Sequence, residues 1–276
     1  MGIESILRWV VVSDQHCGCQ YGLCPRDGVV LDGGGRYHPN HMQVAVNDYW
    51  DEFWDKWVPE VTDGEPFGVV INGDVIDGRH HGSTTQISQN IADQLKVAYE
   101  VMMPKLERAQ YVYMVRGTPA HVGESGEWEE MIAERLGAIP DSDGRFSRNE
   151  LWKKIGNGIC HFAHHIGCAS STAYSTSALN RELSEMLAVA GRWGEEPPDI
   201  VCRSHRHQKD EIRLSTCRGE AICFTTAAWQ LKTPVTFKWF GPRVSLPQLG
   251  GSIIIQGDHD LYVRHKVWTL KRPKCE

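Results

Sequence analysis

The sequence has no long run of lysine or arginine, and its 35 acidic residues outnumber its 29 basic ones. A formal net charge of −6 argues against a broad nucleic-acid-binding face, although a bound metal ion could still attract phosphate locally. No apolar run reaches the length of a transmembrane helix, and the first residues lack the pattern of a secretory signal. We therefore expect a cytoplasmic protein that makes no contact with membranes.

Internal repeats, low-complexity segments and a clear linker are missing as well. The chain has 276 residues, of which 41% are hydrophobic and 23% are charged, as is usual for a globular protein with a sizeable core. We expect a single domain over residues 1–276. The sequence leaves the oligomeric state open.

The nine cysteines are an odd number, and without a secretory signal we expect reduced thiols. Cys17, Cys19 and Cys24 are close enough in sequence to suggest a zinc site. A fourth cysteine is absent nearby, and structural zinc sites use four ligands. Thiols that pack within a loop or the core are therefore the preferred interpretation.

Strands and helices alternate in the first half of the chain, and the last part is rich in strands. Apolar runs predict strands at 10–13, 67–71, 111–115, 159–163 and 200–202, followed by strand-like stretches at 210–216, 220–226, 251–256 and 260–270. Helical periodicity predicts helices at 41–61, 84–109, 126–136 and 172–192. Pro104 should kink or break the second helix near its end. Residues 17–40, rich in Gly, Asp and Pro, predict a long surface loop.

Glutamates recur along the predicted helix at 126–136. We expect a solvated face formed by Glu127, Glu129, Glu130 and Glu134.

Residues that can bind metal ions follow the predicted strands closely. They form the segments Asp14-x-His16, Asn72-Gly73-Asp74-x-x-Asp77, Gly117-Thr118-Pro119-Ala120-His121, His164-His165 and His205-x-His207. The C-terminal ends of strands are where α/β sheets place their sites. Carboxylates and imidazoles bind divalent ions, and an i, i+2 pair on a strand points to one face and can hold one ion. The sequence therefore predicts a polynuclear metal site in a metal-dependent hydrolase.

In this order and at these strand ends, the motifs resemble those of the calcineurin-like metallophosphoesterase family, over the range from Asp14 to His207. The segments at 13–16, 116–118 and 229–234 further look like those of phosphoesterases carried by tailed phages, which would place the protein in the host cytoplasm. The resemblance implies an α/β fold: a four-layer αββα sandwich with two mixed β-sheets.

The resemblance also assigns roles to the motif residues. The implied ligands of the first ion are Asp14, His16 and His207, those of the second are His164 and His205, and Asp74 would bridge both ions. The adjacent His164 and His165 would point in different directions, and we prefer His164 because the family's ligand closes its strand.

The segment after the third strand departs from the family's usual Gly-Asn-His pattern, because Thr118 stands where the Asn that binds the second ion is expected. Thr118 could offer its hydroxyl, or water could fill this position. His121 would protonate the leaving oxygen, with Asp77 orienting it, or would itself bind a metal ion. Arg79 is displaced by one position from the family's phosphate-binding arginine and is a candidate for substrate contact.

The implied activity is hydrolysis of a phosphate ester by two divalent ions, chosen from Mn, Fe, Zn, Co or Ni, with Mn favoured. A phosphodiesterase or nuclease acting on nucleotides or nucleic acid is the first choice. A phosphomonoesterase acting on protein or a small molecule is the nearest alternative. A metal-binding protein with impaired catalysis, which binds nucleic acid or a partner, is the alternative from another class, and the missing Asn would allow it.

Overall fold

The structure is a computed structural model that describes residues 3, 6–167, 172–240 and 248–270, with only the backbone at 239 and 240. Its strands are β1 (Arg8–Val12), β2 (Val29–Val30), β3 (Arg36–Tyr37), β4 (Gly68–Asn72), β5 (Tyr111–Val115), β6 (Ser147–Arg148), β7 (Leu151–Ile155), β8 (Gly158–Phe162), β9 (Ile200–Arg203), β10 (Glu211–Thr216), β11 (Gly219–Thr225), β12 (Gln248–Gln256) and β13 (Leu261–Thr269). Its α-helices are α1 (His41–Glu52), α2 (Val58–Thr62), α3 (Ile91–Leu106), α4 (Pro119–Val122), α5 (Glu127–Arg135), α6 (Ser177–Trp193) and α7 (Pro234–Phe240). A π-helical segment, Phe53–Trp57, joins α1 to α2, and Thr172–Tyr174 forms a 3₁₀ turn.

Eleven of these strands build two sheets, both of which are mixed. Sheet 1 has the order β13-β12-β1-β4-β5-β6, and sheet 2 has the order β10-β11-β9-β8-β7. In sheet 1, β1, β4, β5 and β6 are parallel, while β12 and β13 are antiparallel to their neighbours. In sheet 2, β8, β9 and β11 are parallel, and the edge strands β7 and β10 are antiparallel. The hairpin of β2 and β3 stands apart from both sheets.

The two sheets pack face to face, with helices on both outer sides. Along β1, Trp9 and Val11 belong to the apolar core between the sheets, whereas Val10 and Val12 belong to the core shared with α1, α3 and α5. This alternation follows from the two-residue period of a strand, and both faces are apolar because both are buried. On sheet 2, Val201 packs in a third core with Leu179 of α6. The predicted four-layer αββα sandwich with two mixed sheets is confirmed.

The predicted helix at 84–109 is wrong in its first turns, because α3 begins only at Ile91. The Asn90 side chain accepts a hydrogen bond from the amide of Ala92 and caps the helix there. Residues before the cap pair with the segment that follows β1: the Ile87 amide donates to the Gly18 carbonyl. Pro104 lies inside α3, which ends two residues later at Leu106.

The segment 17–40, predicted to be a surface loop, is exposed only in part. The residues at 32–36, at the tip of the β2–β3 hairpin, are exposed. Cys17, Cys19 and Cys24 are buried instead, and their thiols are free. Burial raises the pKa of all three thiols, which makes them poor ligands and favours the packing interpretation.

Four strands were not predicted: β2 and β3, which lie in the predicted loop, and β6 and β7. In β7 the exposed Trp152 and Lys154 alternate with buried residues, and this polar edge-strand pattern lacks the apolar run that identified the other strands. In the part of the chain that the structure describes, no helix has both the length and the apolar character needed to cross a membrane.

Candidate metal centre

The residues with metal-binding potential come from loops at the C-terminal ends of parallel strands in both sheets. Their positions are Asp14 and His16 after β1, Asp74 and Asp77 after β4, Thr118 and His121 after β5, His164 after β8, and His205 and His207 after β9. Because the two sheets face each other, these loops meet at one edge of the sandwich. The residues predicted from sequence as ligands are brought together there in two adjoining groups.

The first group consists of Asp14, His16 and His207. Nε2 of His207 lies 3.3 Å from Oδ1 of Asp14 and 3.1 Å from Nε2 of His16. Nε2 of His16 lies 4.0 Å from the same Asp14 oxygen. Two imidazole nitrogens and one carboxylate oxygen thus converge on one point, as the ligands of a borderline divalent ion do.

The second group consists of Asp74, His164 and His205, whose ligand atoms all lie within 4.8 Å of one another. Nε2 of His164 lies 3.0 Å from Oδ2 of Asp74 and 3.9 Å from Oδ1 of Asp14. Asp74 also has a ligand atom within 4.8 Å of His16, so its carboxylate lies between the two groups. This position would allow it to contact an ion in either group.

Backbone strain is concentrated at these ligands. Among the described residues, seven that are not glycine have a positive φ between 44° and 70°. Five of the seven are candidate ligands, namely Asp14, His16, Asp74, His205 and His207. A left-handed conformation costs a non-glycine residue roughly 1–3 kcal/mol and is typically retained where the geometry of a functional site requires it. The left-handed backbone at these positions is therefore consistent with a functional site that requires particular orientations of the side chains.

Two buried polar atoms without hydrogen-bond partners in the described part of the chain indicate that the two groups can accommodate metal ions. The Ser13 hydroxyl donates to Oδ2 of Asp14, while Oδ1 of Asp14 has no hydrogen-bond partner among the described residues. Nδ1 of His164 donates to the Asn72 carbonyl at 2.7 Å, so the neutral ring would carry its lone pair on Nε2. Within the described chain, this Nε2 also lacks a hydrogen-bond partner. Buried polar atoms without partners are costly, and a cation in each group would satisfy the unpartnered atom of that group.

Burial alone would raise the pKa of the Asp14 and Asp74 carboxyls, but the nearby histidines outweigh it. His164 and His207 lower the pKa of Asp14 to about 2, and His164 and His121 hold the pKa of Asp74 well below its usual value. Burial would lower the pKa of His164, yet the charges of Asp74 and Asp14 raise it to about 10. Both carboxylates are therefore ionised at neutral pH, and an incoming cation would displace a proton from His164.

The carboxylate of Asp77 does not orient His121 as predicted. Nδ1 of His121 instead donates to the main-chain carbonyl of Asp77 at 2.5 Å. The carboxylate oxygens lie next to four side-chain nitrogens: Nδ1 of His16 at 3.3 Å, Nε2 of His80 at 3.3 Å, Nε2 of Gln86 at 2.6 Å and Nε2 of Gln230 at 3.2 Å. The negative charge of the carboxylate, 3.3 Å from Nδ1 of His16, favours a proton on Nδ1, which leaves the lone pair of the ring on Nε2, the nitrogen that faces the first group.

Thr118 occupies the space beside the second group. Its amide donates to Oδ1 of Asp74 at 2.7 Å, and its hydroxyl lies 3.2 Å from Oδ2 of Asp74. The same hydroxyl is 3.0 Å from Nδ1 of His205. The threonine thus contacts the candidate ligands directly, in the position where the family pattern has an asparagine.

Two further residues considered from the sequence, Arg79 and His165, are not members of the two ligand groups. The guanidinium Nε of the exposed Arg79 donates to the Gln89 carbonyl, so the structure engages this side chain with its own loop rather than with the ligand groups. His165 is exposed and stacks on His205 with ring centroids 4.9 Å apart, whereas His164 is buried within the second group.

Glu129 is a site residue that the sequence interpretation missed. It was expected on a solvated face, but its side chain is fully buried. It accepts hydrogen bonds from the amides of Val75 and Gly117 at 3.0 and 2.6 Å. Burial and the nearby charge of Asp74 raise its pKa to about 7. The spacing of residues in the sequence could have indicated that Glu129 is buried. It lies on the same i, i+3, i+4, i+7 helical stripe as the buried Ile132, Ala133 and Leu136.

Comparison with known proteins adds little to this picture. No protein-family model matches the chain, and no curated protein matches it. The solved structures with some likeness include Vps29 of Entamoeba histolytica (13% identity, TM-score 0.34, covering 95% of this chain and 100% of that one), Vps29 of Cryptosporidium parvum (12%, 0.33, 95% and 98%) and the sulfate thiohydrolase SoxB of Thermus thermophilus (10%, 0.40, 95% and 56%). At these identities and TM-scores the likeness carries no argument.

Proposed function

We propose that this protein is a phosphoester hydrolase that uses two divalent metal ions. One observation carries the proposal: six Asp and His side chains, drawn from four strand ends, converge in two groups with Asp74 between them. The left-handed backbone at five of them and the unpartnered Asp14 Oδ1 and His164 Nε2 support it.

In this proposal, Asp14, His16 and His207 hold the first ion, His164 and His205 hold the second, and Asp74 bridges the two. Bound in this way, two ions would activate water for attack on phosphorus and offset the charge on the phosphate oxygens. Nitrogen and oxygen ligands without a thiolate suit Mn, Fe, Zn, Co or Ni, and among these we propose manganese.

The burial of the ligands indicates the side from which a substrate enters. Asp14, Asp74 and His164 are buried and form the floor of the centre. His205 and His207 are partly exposed and form its rim. A phosphate group would therefore approach over the two rim histidines.

We further propose that the substrate is a phosphodiester, in a nucleotide or a nucleic acid. The support for this finer step is the similarity of the segments at 13–16, 116–118 and 229–234 to phage phosphoesterases. The net charge of −6 fits a substrate held by the ions better than one held by a broad basic face.

The proposal is tested with an aryl phosphodiester and an aryl phosphomonoester, after reconstitution with Mn²⁺ and counting of bound ions. We expect two ions per chain and faster hydrolysis of the diester. Asp74→Asn should lose the second ion and orders of magnitude of activity, because its carboxylate offsets the repulsion between the two cations.

Asp93→Asn is the matched control, because Asp93 is a buried carboxylate that accepts bonds from the Asp32 amide and the Ser88 hydroxyl, outside the centre. It should keep both ions. A wild-type chain that binds no Mn²⁺, or an Asp74→Asn variant with near-normal hydrolysis, would contradict the proposal. Faster hydrolysis of the monoester would reject only the proposal that the substrate is a phosphodiester.

A further inference from the structure

Glu129 lies behind the metal centre rather than in it. Its helix, α5, follows the loop that carries Thr118 and His121, and its side chain is fully buried. One carboxylate oxygen accepts the Val75 amide at 3.0 Å, and the other accepts the Gly117 amide at 2.6 Å. A single side chain therefore joins the turn after β4 to the turn after β5.

The two amides that Glu129 accepts belong to the immediate neighbours of residues in the second group. Val75 follows Asp74, and Gly117 precedes Thr118. Between the turns, the Thr118 amide donates to Oδ1 of Asp74 at 2.7 Å. The carboxylate, the two turns and this bond form a closed ring, so the position of Asp74 relative to Thr118 depends on Glu129.

The approach of the two turns is unusually close. A Cβ atom on Gly117 would lie 2.1 Å from Oδ1 of Asp74 and 2.3 Å from its amide nitrogen. Two turns of the main chain this close together require a contact that stabilises their separation. Glu129 does so with two charge-assisted hydrogen bonds, which are stronger than bonds between neutral groups.

A carboxylate at position 129 is electrostatically unfavourable in the absence of a bound cation. Glu129 and Asp74 are both buried acids, and two like charges in a low-dielectric interior repel each other. A cation bound at Asp74 would relieve this repulsion. The arrangement therefore suits a chain that binds a cation beside Asp74 better than one that does not.

We propose that Glu129 is a positioning residue for the second metal site, formed by Asp74, His164, His205 and the Thr118 hydroxyl. It touches neither ion nor substrate and acts by fixing the separation of the two turns. This inference rests on the proposed function, because it requires that the second group bind a metal ion.

The test is a Mn²⁺ titration followed by electron paramagnetic resonance, which counts bound ions and detects coupling between two neighbouring ions without any assay of activity. Glu129→Gln keeps the size of the side chain but replaces one acceptor oxygen with a donor that faces an amide. We expect one ion to bind as in the wild type and the affinity for the second to fall about 10–100-fold. The coupled signal should disappear at Mn²⁺ concentrations that saturate the wild type.

Glu130→Gln is the matched control. Glu130 is the next residue of α5 and also accepts two amides, those of Phe146 and Ser147, at 2.7 and 2.9 Å. These two bonds tie α5 to β6. Glu130 also accepts from the side chain of Arg116 at 3.4 Å, but among the described residues it accepts no amide from the turns that Glu129 joins. This variant should bind both ions normally, which would show that losing a carboxylate from this helix is not itself the cause.

Glu129→Asp is the second variant and serves if Glu129→Gln fails to fold. It keeps the charge but is one methylene shorter, so it cannot reach both amides, and the second ion should again bind weakly. Normal binding of both ions in either folded Glu129 variant would overturn the inference while leaving the proposed function intact. A wild-type chain that binds fewer than two ions would overturn the proposed function, and this inference with it.

Discussion

The Asp77 carboxylate lies 3.3 Å from Nδ1 of His16, whereas the hydrogen bond from His121 to this residue is made to its main-chain carbonyl, at 2.5 Å. One residue thus sets the orientation of two histidines by two different groups. The side chain of Asp77 governs the first metal group through His16, and its backbone governs His121. A substitution at this position therefore affects the two imidazoles unequally.

Asp77→Asn should weaken metal binding at the first site. An asparagine lacks the negative charge that lies 3.3 Å from His16 Nδ1, so the tautomer that frees His16 Nε2 becomes less favoured. Loss of such an outer contact typically costs about 10–100-fold in metal affinity, and we expect a change of this size for the first ion. The His121 ring should keep its orientation because the carbonyl is retained.

Calorimetric titration with Mn²⁺ measures this effect, with Asp93→Asn as the buried-carboxylate control. Unchanged affinity for the first ion in a folded Asp77→Asn variant would show that the contact between Asp77 and His16 has no bearing on metal binding.

The stability of the metal-free chain should depend on His164. The charges of Asp74 and Asp14 outweigh burial and raise the pKa of this histidine from its usual 6.5 to about 10. A raised pKa stabilises the folded state fully below pH 6.5, and the stabilisation declines as the pH rises toward 10. With a chelator present, we expect the free energy of unfolding to fall by up to a few kcal/mol between pH 6.5 and pH 9.5.

Urea denaturation at the two pH values measures this difference. His164→Asn removes the titrating group, so the pH dependence over this range should become much smaller. Equal pH dependence in the variant and the wild type would assign the effect to other groups.

Much of the fold could be predicted because it depends on local pattern. The strands that carry the site are apolar on both faces, and each ends in a polar segment, so their positions and the location of the ligands at their C-terminal ends are visible in the sequence. The helix at 41–61 was equally clear, since Trp50, Phe53 and Trp54 lie on one stripe and are buried.

The contacts around the ligands could not be predicted, because they depend on the distance between loops far apart in sequence. Asp77 and His121 were paired by analogy, yet the turn after β4 directs the Asp77 carboxylate to His16 instead. Glu129 was assigned to solvent among other glutamates, although only the packing of α5 decides which of them is buried. The sequence pattern thus indicated where the candidate ligands lie, and tertiary packing determined which groups orient them.

Gly117→Ala should disrupt the second group with little effect on the first. The added Cβ would lie 2.1 Å from Oδ1 of Asp74, a distance that no side chain can tolerate, so the turns must separate. We expect the second ion to be lost and thermal stability to fall. Gly33→Ala is the control, since a Cβ there would meet nothing within 4 Å. Metal analysis of both variants after dialysis distinguishes them, and a Gly117→Ala chain that retains two ions would contradict the observed approach of the two turns.

We expect His121 to act as a further metal ligand, beside His16 and Asp74, rather than as a proton donor. Burial lowers its pKa to about 4, so the ring is neutral at neutral pH. Because Nδ1 donates to the Asp77 carbonyl, Nε2 carries the lone pair, and the ring has a ligand atom within 4.8 Å of those of His16 and Asp74. We expect His121→Ala to lose bound metal and to hydrolyse alkyl and aryl esters more slowly by the same factor.

A general acid would behave differently. It contributes roughly 10²–10⁴-fold to the rate, and its loss would slow an alkyl ester far more than an aryl ester, because only the alkoxide needs a proton to leave. Metal content and both ester rates should therefore be measured in His121→Ala, with the exposed His259→Ala as the control. Full metal occupancy with a defect confined to the alkyl ester would reject the ligand assignment and establish His121 as the proton donor. Depleted metal with equal defects would place it among the ligands.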